Sequence, residues 1–68
     1  MDAEVLQLGI RRFLKEFGVT AQQAIEDAVL AGVRSGKLDG TGSVLARARL
    51  EIPELGTYFD IERTIPLE

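Results

Sequence analysis

Apolar residues in the first part of the chain recur at the spacing of one face of a helix. The stripe has steps of four, three and four positions and consists of Leu6, Ile10, Phe13 and Phe17. Asp2 precedes it and has a side chain suited to a helix N-cap. Gly18 follows it and is typical of a helix that ends in a left-handed residue. The pattern therefore predicts a helix over residues 2–17.

A second helical pattern begins almost at once. Thr20 and Gln23 have the spacing of a capping box, in which each side chain bonds the backbone N–H of the other residue. Small and aliphatic residues then recur at helical spacing until Gly36, which predicts a helix over residues 20–35. Since only Gly18 and Val19 separate the two helices, we expect an αα-corner.

The period of the pattern changes after a glycine-rich loop at residues 36–43. Apolar residues alternate with polar ones over residues 44–52 and again over 57–65, which predicts two strands joined by a turn at residues 53–56. A hairpin with this turn pairs residues whose numbers add up to 109. It sets Leu50 opposite Phe59 on one face and Arg49 opposite Asp60 on the other. Arg63 is the exception, because it falls on the apolar face.

The predicted fold is a single small α+β domain over residues 1–68, in the order ααββ. A lone hairpin is marginally stable and its edges invite pairing with another strand. A chain of 68 residues without cysteine or histidine has neither disulfides nor the usual zinc ligands to stabilise it. We therefore expect a homodimer, whose hairpins could join into a four-stranded sheet.

Composition excludes several classes of function. The net charge of −3 disfavours nucleic acid and anionic membranes as partners. Without histidine or cysteine the chain lacks the commonest general base and the thiolate nucleophile. We predict no catalytic residue, no cofactor and no metal site, and hence no enzyme. The acidic start of the chain is unlike a secretory signal and no apolar run is long enough to span a bilayer, so we expect a cytoplasmic protein.

Two alternatives stay open. The turn at Gly18–Thr20 between two helices, followed by a hairpin, has the order of a helix-turn-helix with a wing, although the second helix is acidic in its first turns. A winged-helix-like nucleic-acid-binding protein is therefore the first alternative, and a small-ligand sensor is the second. The loop at 36–43 lacks the order of a phosphate-binding P-loop and is interpreted as a connector.

Several short segments carry a likeness to known proteins. They are 10–15, 18–20 with Gln23, 25–26, 28–29, 36–38, 52–56, and Ile65 with the last two residues, Leu67 and Glu68. In these segments the chain resembles a family of short bacterial proteins catalogued as a domain of unknown function, and the likeness extends over nearly the whole chain. The resemblance implies no activity, cofactor or catalytic residue, since none is attached to the family.

These observations favour a homo-oligomeric protein-interaction or accessory module. The residues expected at its interface are exposed apolar or aromatic residues, together with the arginine that falls on the apolar face of the hairpin. They are Phe13, Phe17, Leu45, Tyr58 and Arg63.

Overall fold

One long helix and one hairpin make up the computed structural model, which describes every residue, Met1–Glu68. Helix α1 spans Ala3–Arg34, strand β1 spans Ser43–Ile52 and strand β2 spans Thr57–Pro66. The α+β class is thereby confirmed. The chain divides into two compact units, Met1–Leu38 and Asp39–Glu68, which are described separately.

The two predicted helices are one, so the prediction of an αα-corner is wrong. Gly18, Val19 and Thr20 all lie inside the 32-residue helix. Gly18 does not have a positive φ, and the Gln23 amide donates to the Asp27 carboxylate at 3.0 Å instead of serving a capping box. A glycine inside a helix costs only about 1 kcal/mol relative to alanine. Ending the helix there would lose the hydrogen bonds of several residues and require a second, costly nucleation.

Both ends of α1 have defined caps. At the start, the Asp2 carboxylate accepts hydrogen bonds from the backbone N–H groups of Glu4 and Val5, at 2.9 and 3.3 Å. At the other end, Ser35 is the C-cap and Gly36 adopts a left-handed φ of 82°. The predicted N-cap and the predicted stop at Gly36 are both confirmed.

The second unit begins with a loop that is held by Asp39. The Asp39 carboxylate accepts from the Thr41 backbone N–H at 2.9 Å and from the Thr41 hydroxyl at 2.8 Å. These two bonds, the backbone bond first, lower the pKa of Asp39 below its ordinary value of 3.8. Gly40 and Gly42 both have positive φ, so the loop turns where side chains would strain the backbone.

The hairpin has the predicted register over its whole length. Leu50 pairs with Phe59 and Val44 with Ile65, while Arg49 pairs with Asp60. A 3-10 turn at Pro53–Leu55 joins the strands, and Gly56 closes it with a φ of 62° and an N–H bond to the Pro53 carbonyl. The strands extend one residue beyond the prediction at Ser43 and at Pro66.

The last two residues continue this pairing. The Leu67 N–H donates to the Gly42 carbonyl at 2.8 Å, and the Glu68 carboxylate accepts from the Gly42 N–H at 3.4 Å. They are therefore part of the hairpin unit.

Neither unit has a hydrophobic core. No apolar, polar or charged residue of the chain is buried. The least exposed positions are intermediate only. They are Ala21, Val29, Gly32, Leu38, Gly40, Val44, Ala46, Leu50, Ile65 and Leu67.

Candidate functional site

The most extensive candidate surface is an apolar stripe along α1. Because the helix is continuous, the stripe of the first half runs on past Gly18 into the alanines of the second half. Its bulky residues all lie before Gly18 and its small ones all lie after it. We call this set the helix stripe: Leu6, Ile10, Phe13, Phe17, Ala21, Ala24, Ala28 and Ala31.

The aromatic part of the stripe is open to solvent. The rings of Phe13 and Phe17 are stacked, with centroids 6.4 Å apart and an angle of 27° between their planes. Their exposed fractions are 53% and 49%. Two adjacent aromatic rings that are half exposed form a surface suited to packing against another protein.

Opposite charges occupy different halves of α1. Arg11, Arg12 and Lys15 lie in the first half and Glu26 and Asp27 in the second, and none of them forms an ion pair within the chain. Residues 11 and 26 of one straight helix are about 22 Å apart, so these two groups of charges do not meet within the chain.

The hairpin carries a charged face with paired side chains. Arg49 binds Asp60 through two hydrogen bonds, of 2.8 and 3.1 Å, and its guanidinium lies 4.3 Å from the centre of the Tyr58 ring. Arg47 binds Glu62 at 2.8 Å. The hydrogen bond from Arg49 lowers the pKa of Asp60, and Asp60 raises that of Arg49. The predicted pairing of Arg49 with Asp60 is therefore confirmed, and Arg47 pairs with Glu62 in the same register.

The opposite face of the hairpin is apolar and open. Phe59 and Ile61 are 53% and 47% exposed, and Val44 and Leu50 are partly exposed. Arg63 interrupts this face opposite Ala46, as the register predicted. Its guanidinium donates to the Glu62 backbone carbonyl of the same strand, at 2.7 Å.

The residues expected at an interface fall on three surfaces. Phe13 and Phe17 lie together on the helix stripe, and Arg63 lies on the apolar face of the hairpin. Leu45 and Tyr58 share the charged face and are 55% and 58% exposed. They stand six pairs apart along the ladder, which corresponds to about 20 Å. The structure therefore brings the two phenylalanines together but not Leu45 and Tyr58.

The surface contains shallow depressions, one on the helix and one across the two strands of the hairpin. One runs along α1 beside Arg12, Glu16 and Val19, and another lies over the ion pairs of the hairpin.

No three acidic side chains gather into a group that could hold a metal ion. The helix also lacks the apolar content that crossing a membrane would require. The helix-turn-helix corner, on which the nucleic-acid alternative depended, is absent because α1 is continuous.

Sequence reasoning missed the full length of the helix stripe. The signal was present, since the spacing of Phe17, Ala21 and Ala24 continues that of Ile10, Phe13 and Phe17. In two helices separated by a corner, the helical spacing of apolar residues in the second helix need not continue that of the first. The spacing here continues without interruption across Gly18, and this indicated one helix.

The comparisons with known proteins identify a family. A family model described as "Family of unknown function (DUF6494)" matches residues 1–68. The match covers the whole chain, as the resemblance predicted. The comparisons with curated proteins and with solved structures gave no match.

Proposed function

The chain belongs to this family of unknown function, and we propose that it acts as a homo-oligomeric protein-interaction or accessory module of the bacterial cytoplasm, without catalytic activity. The observation that carries the proposal is the absence of any buried residue in either unit. Since burial of apolar surface drives folding, a chain without a core needs a second surface to pack against.

Each unit is of a kind that depends on a partner. A two-stranded hairpin is marginally stable in water, and most helices in proteins are stabilised by packing of their apolar face. Disulfides cannot supply the missing stability, because the chain has no cysteine. Self-association supplies it in one step, since every copy brings the same open faces.

The open faces offer two places for association. On the helix, Phe13 and Phe17 present stacked rings. On the hairpin, the apolar face and the unpaired strand edges are available, and two copies could join them into a four-stranded sheet. The charged face is less suited to this role, because its arginines already have carboxylate partners.

Sedimentation equilibrium of the full chain tests the proposal, with helix content measured by circular dichroism on the same samples. We expect a dimer or higher oligomer at micromolar concentration. A monomer with the full helix content would overturn the proposal. Retention on duplex DNA that collapses as salt rises would favour nucleic-acid binding instead.

A further inference from the structure

We propose that the helix stripe is the surface on which two copies associate, with their α1 helices antiparallel and a two-fold axis close to Gly18 and Val19. This inference rests on the proposed function, because it specifies the partner, the surface and the orientation of that self-association. It follows from the distribution of side-chain size and charge along the continuous helix.

The sizes of the stripe residues are complementary about the middle of α1. An antiparallel arrangement pairs residues whose numbers add up to about 37 or 38. Every bulky residue of the helix stripe in one copy then faces an alanine of the helix stripe in the other copy. The distance between the two helix axes can therefore be the same along the stripe. The facing pairs are Leu6 with Ala31, Ile10 with Ala28, Phe13 with Ala24, and Phe17 with Ala21.

A parallel arrangement lacks this complementarity. It sets Phe13 against Phe13 and Phe17 against Phe17 in one half, and alanine against alanine in the other. A distance between the helix axes that accommodates two facing phenylalanines would leave gaps between the facing alanines. Gaps at an apolar contact are destabilising. The size distribution therefore favours the antiparallel arrangement.

Charge favours the same orientation. Antiparallel pairing brings the basic cluster of one copy, Arg11, Arg12 and Lys15, to the level of Glu26 and Asp27 of the second copy. Asp27 lies on one flank of the stripe, whereas Arg12, Lys15 and Glu26 lie on the outer face of the helix, so this match is a complementarity of charge along the two helices and not a set of ion pairs across the contact. A parallel arrangement would set like charges at the same level along the two helices.

The stripe is long enough for a specific interface. A helix of 32 residues is about 48 Å long and about 10 Å wide. Two such faces present a planar area of about 1,000 Å² in total, which reaches the lower bound for a specific protein–protein interface. The second copy is thus a sufficient occupant for the stripe.

Distances between spin labels on the two copies test the orientation. The chain has no cysteine, so Glu4→Cys and Gln22→Cys each provide a single labelling site. Both positions face away from the stripe. In the antiparallel arrangement the labels at position 4 are roughly 45–50 Å apart and those at position 22 roughly 20–25 Å apart. In a parallel arrangement both distances are similar and short.

The outcomes separate this inference from the proposed function. A long distance at position 4 with a short one at position 22 supports the antiparallel helices. Similar distances at both positions, or an oligomer whose labels stay far apart at both, would overturn the orientation while self-association stands. A monomeric chain, without any intermolecular distance, would overturn both.

Discussion

Leu38 folds back over Gly32 at the end of α1. The Leu38 N–H donates to the Gly32 carbonyl at 3.0 Å, and the Leu38 Cδ1 lies 3.0 Å from the point where a Cβ on residue 32 would stand. Gly36, with its positive φ, reverses the chain between them. The helix therefore ends with a backbone bond and an apolar contact between the same two residues.

Replacing Leu38 by alanine should loosen this ending. Leu38→Ala removes the side chain that covers Gly32, and we expect a loss of about 1 kcal/mol because the side chain is only partly buried. Hydrogen exchange should speed up at the backbone amides of the last helical turn. Leu30→Ala is the matched control, since Leu30 is 53% exposed. Equal effects of the two variants on the last turn would contradict the role of Leu38.

Gly18→Ala tests the continuity of the helix. A glycine inside a helix is less favourable than alanine, so this variant should be more stable by up to about 1 kcal/mol. At a left-handed corner the same change would be destabilising. Beyond the neighbouring residues and the local helix backbone, no atom lies within 4 Å of a Cβ at position 18 or at position 9, so Gly9→Ala is a matched control inside α1. The midpoint temperature of thermal unfolding measures both effects. A midpoint that is raised by Gly9→Ala but lowered by Gly18→Ala would indicate a left-handed corner at Gly18 and contradict the continuous helix.

Arg49 should control the titration of Asp60. The pKa of Asp60 is lowered by the hydrogen bond from Arg49 and, less strongly, by its charge, so Arg49→Gln should move the pKa of Asp60 back toward 3.8. Titration of the Asp60 side-chain carbon signal by NMR measures the change. Arg47→Gln, which removes the neighbouring ion pair, should have a much smaller effect. Equal shifts in the two variants would show that general charge is responsible.

The sign of the pH dependence follows from the same pair. Because the pKa of Asp60 is lower in the folded chain, its contribution to stability is fully present above the ordinary value of 3.8. The contribution is lost as the pH falls through the lower, folded-state pKa. Asp60→Asn should therefore weaken the dependence of hairpin stability on pH in this acidic range, as measured by unfolding at a series of pH values. An unchanged dependence would contradict the assignment.

Exchanging Phe13 and Ala24 should preserve association if they face each other across copies. Phe13→Ala alone leaves a gap and Ala24→Phe alone overfills the contact, so each should weaken the dimer. The double variant restores one large and one small residue at each contact and should recover a dissociation constant close to that of the natural chain. Gln22→Phe places the same ring on the outer face of the helix and serves as the control. A double variant weaker than both single variants would contradict this pairing.

Charged substitutions distinguish the two surfaces. Phe17→Glu should disrupt association through the helix stripe, since it sets a charge in an apolar contact. Leu45→Glu and Tyr58→Glu should have this effect only if the charged face of the hairpin takes part. Sedimentation equilibrium of the three variants gives the comparison. If only Leu45→Glu and Tyr58→Glu weaken self-association, the interface lies on the hairpin and not on the helix stripe.

Local pattern was sufficient to predict the hairpin. Alternation fixes which residues share a face, and a turn of known length then fixes every pair, so the Arg49–Asp60 contact followed from the sequence. The helix caps at Asp2 and Gly36 were predictable for the same reason, because each depends on a few neighbouring residues.

The number of helices could not be predicted from local signals, because it depends on two opposing free energies. One is the cost of placing Gly18 and Thr20 inside a helix, and the other is the gain from continuous backbone hydrogen bonds. Gly18 and Thr20 are typical of a helix boundary, but each is tolerated inside a helix at a cost of about 1 kcal/mol or less. The continuous backbone bonds of α1 outweigh that cost. The consequence for the candidate site is large, because only an unbroken helix aligns Phe13 and Phe17 with the alanines that follow.

The dependence of folding on protein concentration tests the central claim most directly. If the open faces of α1 and the hairpin are covered by a second copy, thermal unfolding followed by circular dichroism should shift to higher temperature as concentration rises. Helix content should also fall on dilution below the dissociation constant. A midpoint and a helix content that stay constant over a hundredfold range of dilution, in a chain that sediments as a monomer, would contradict the claim.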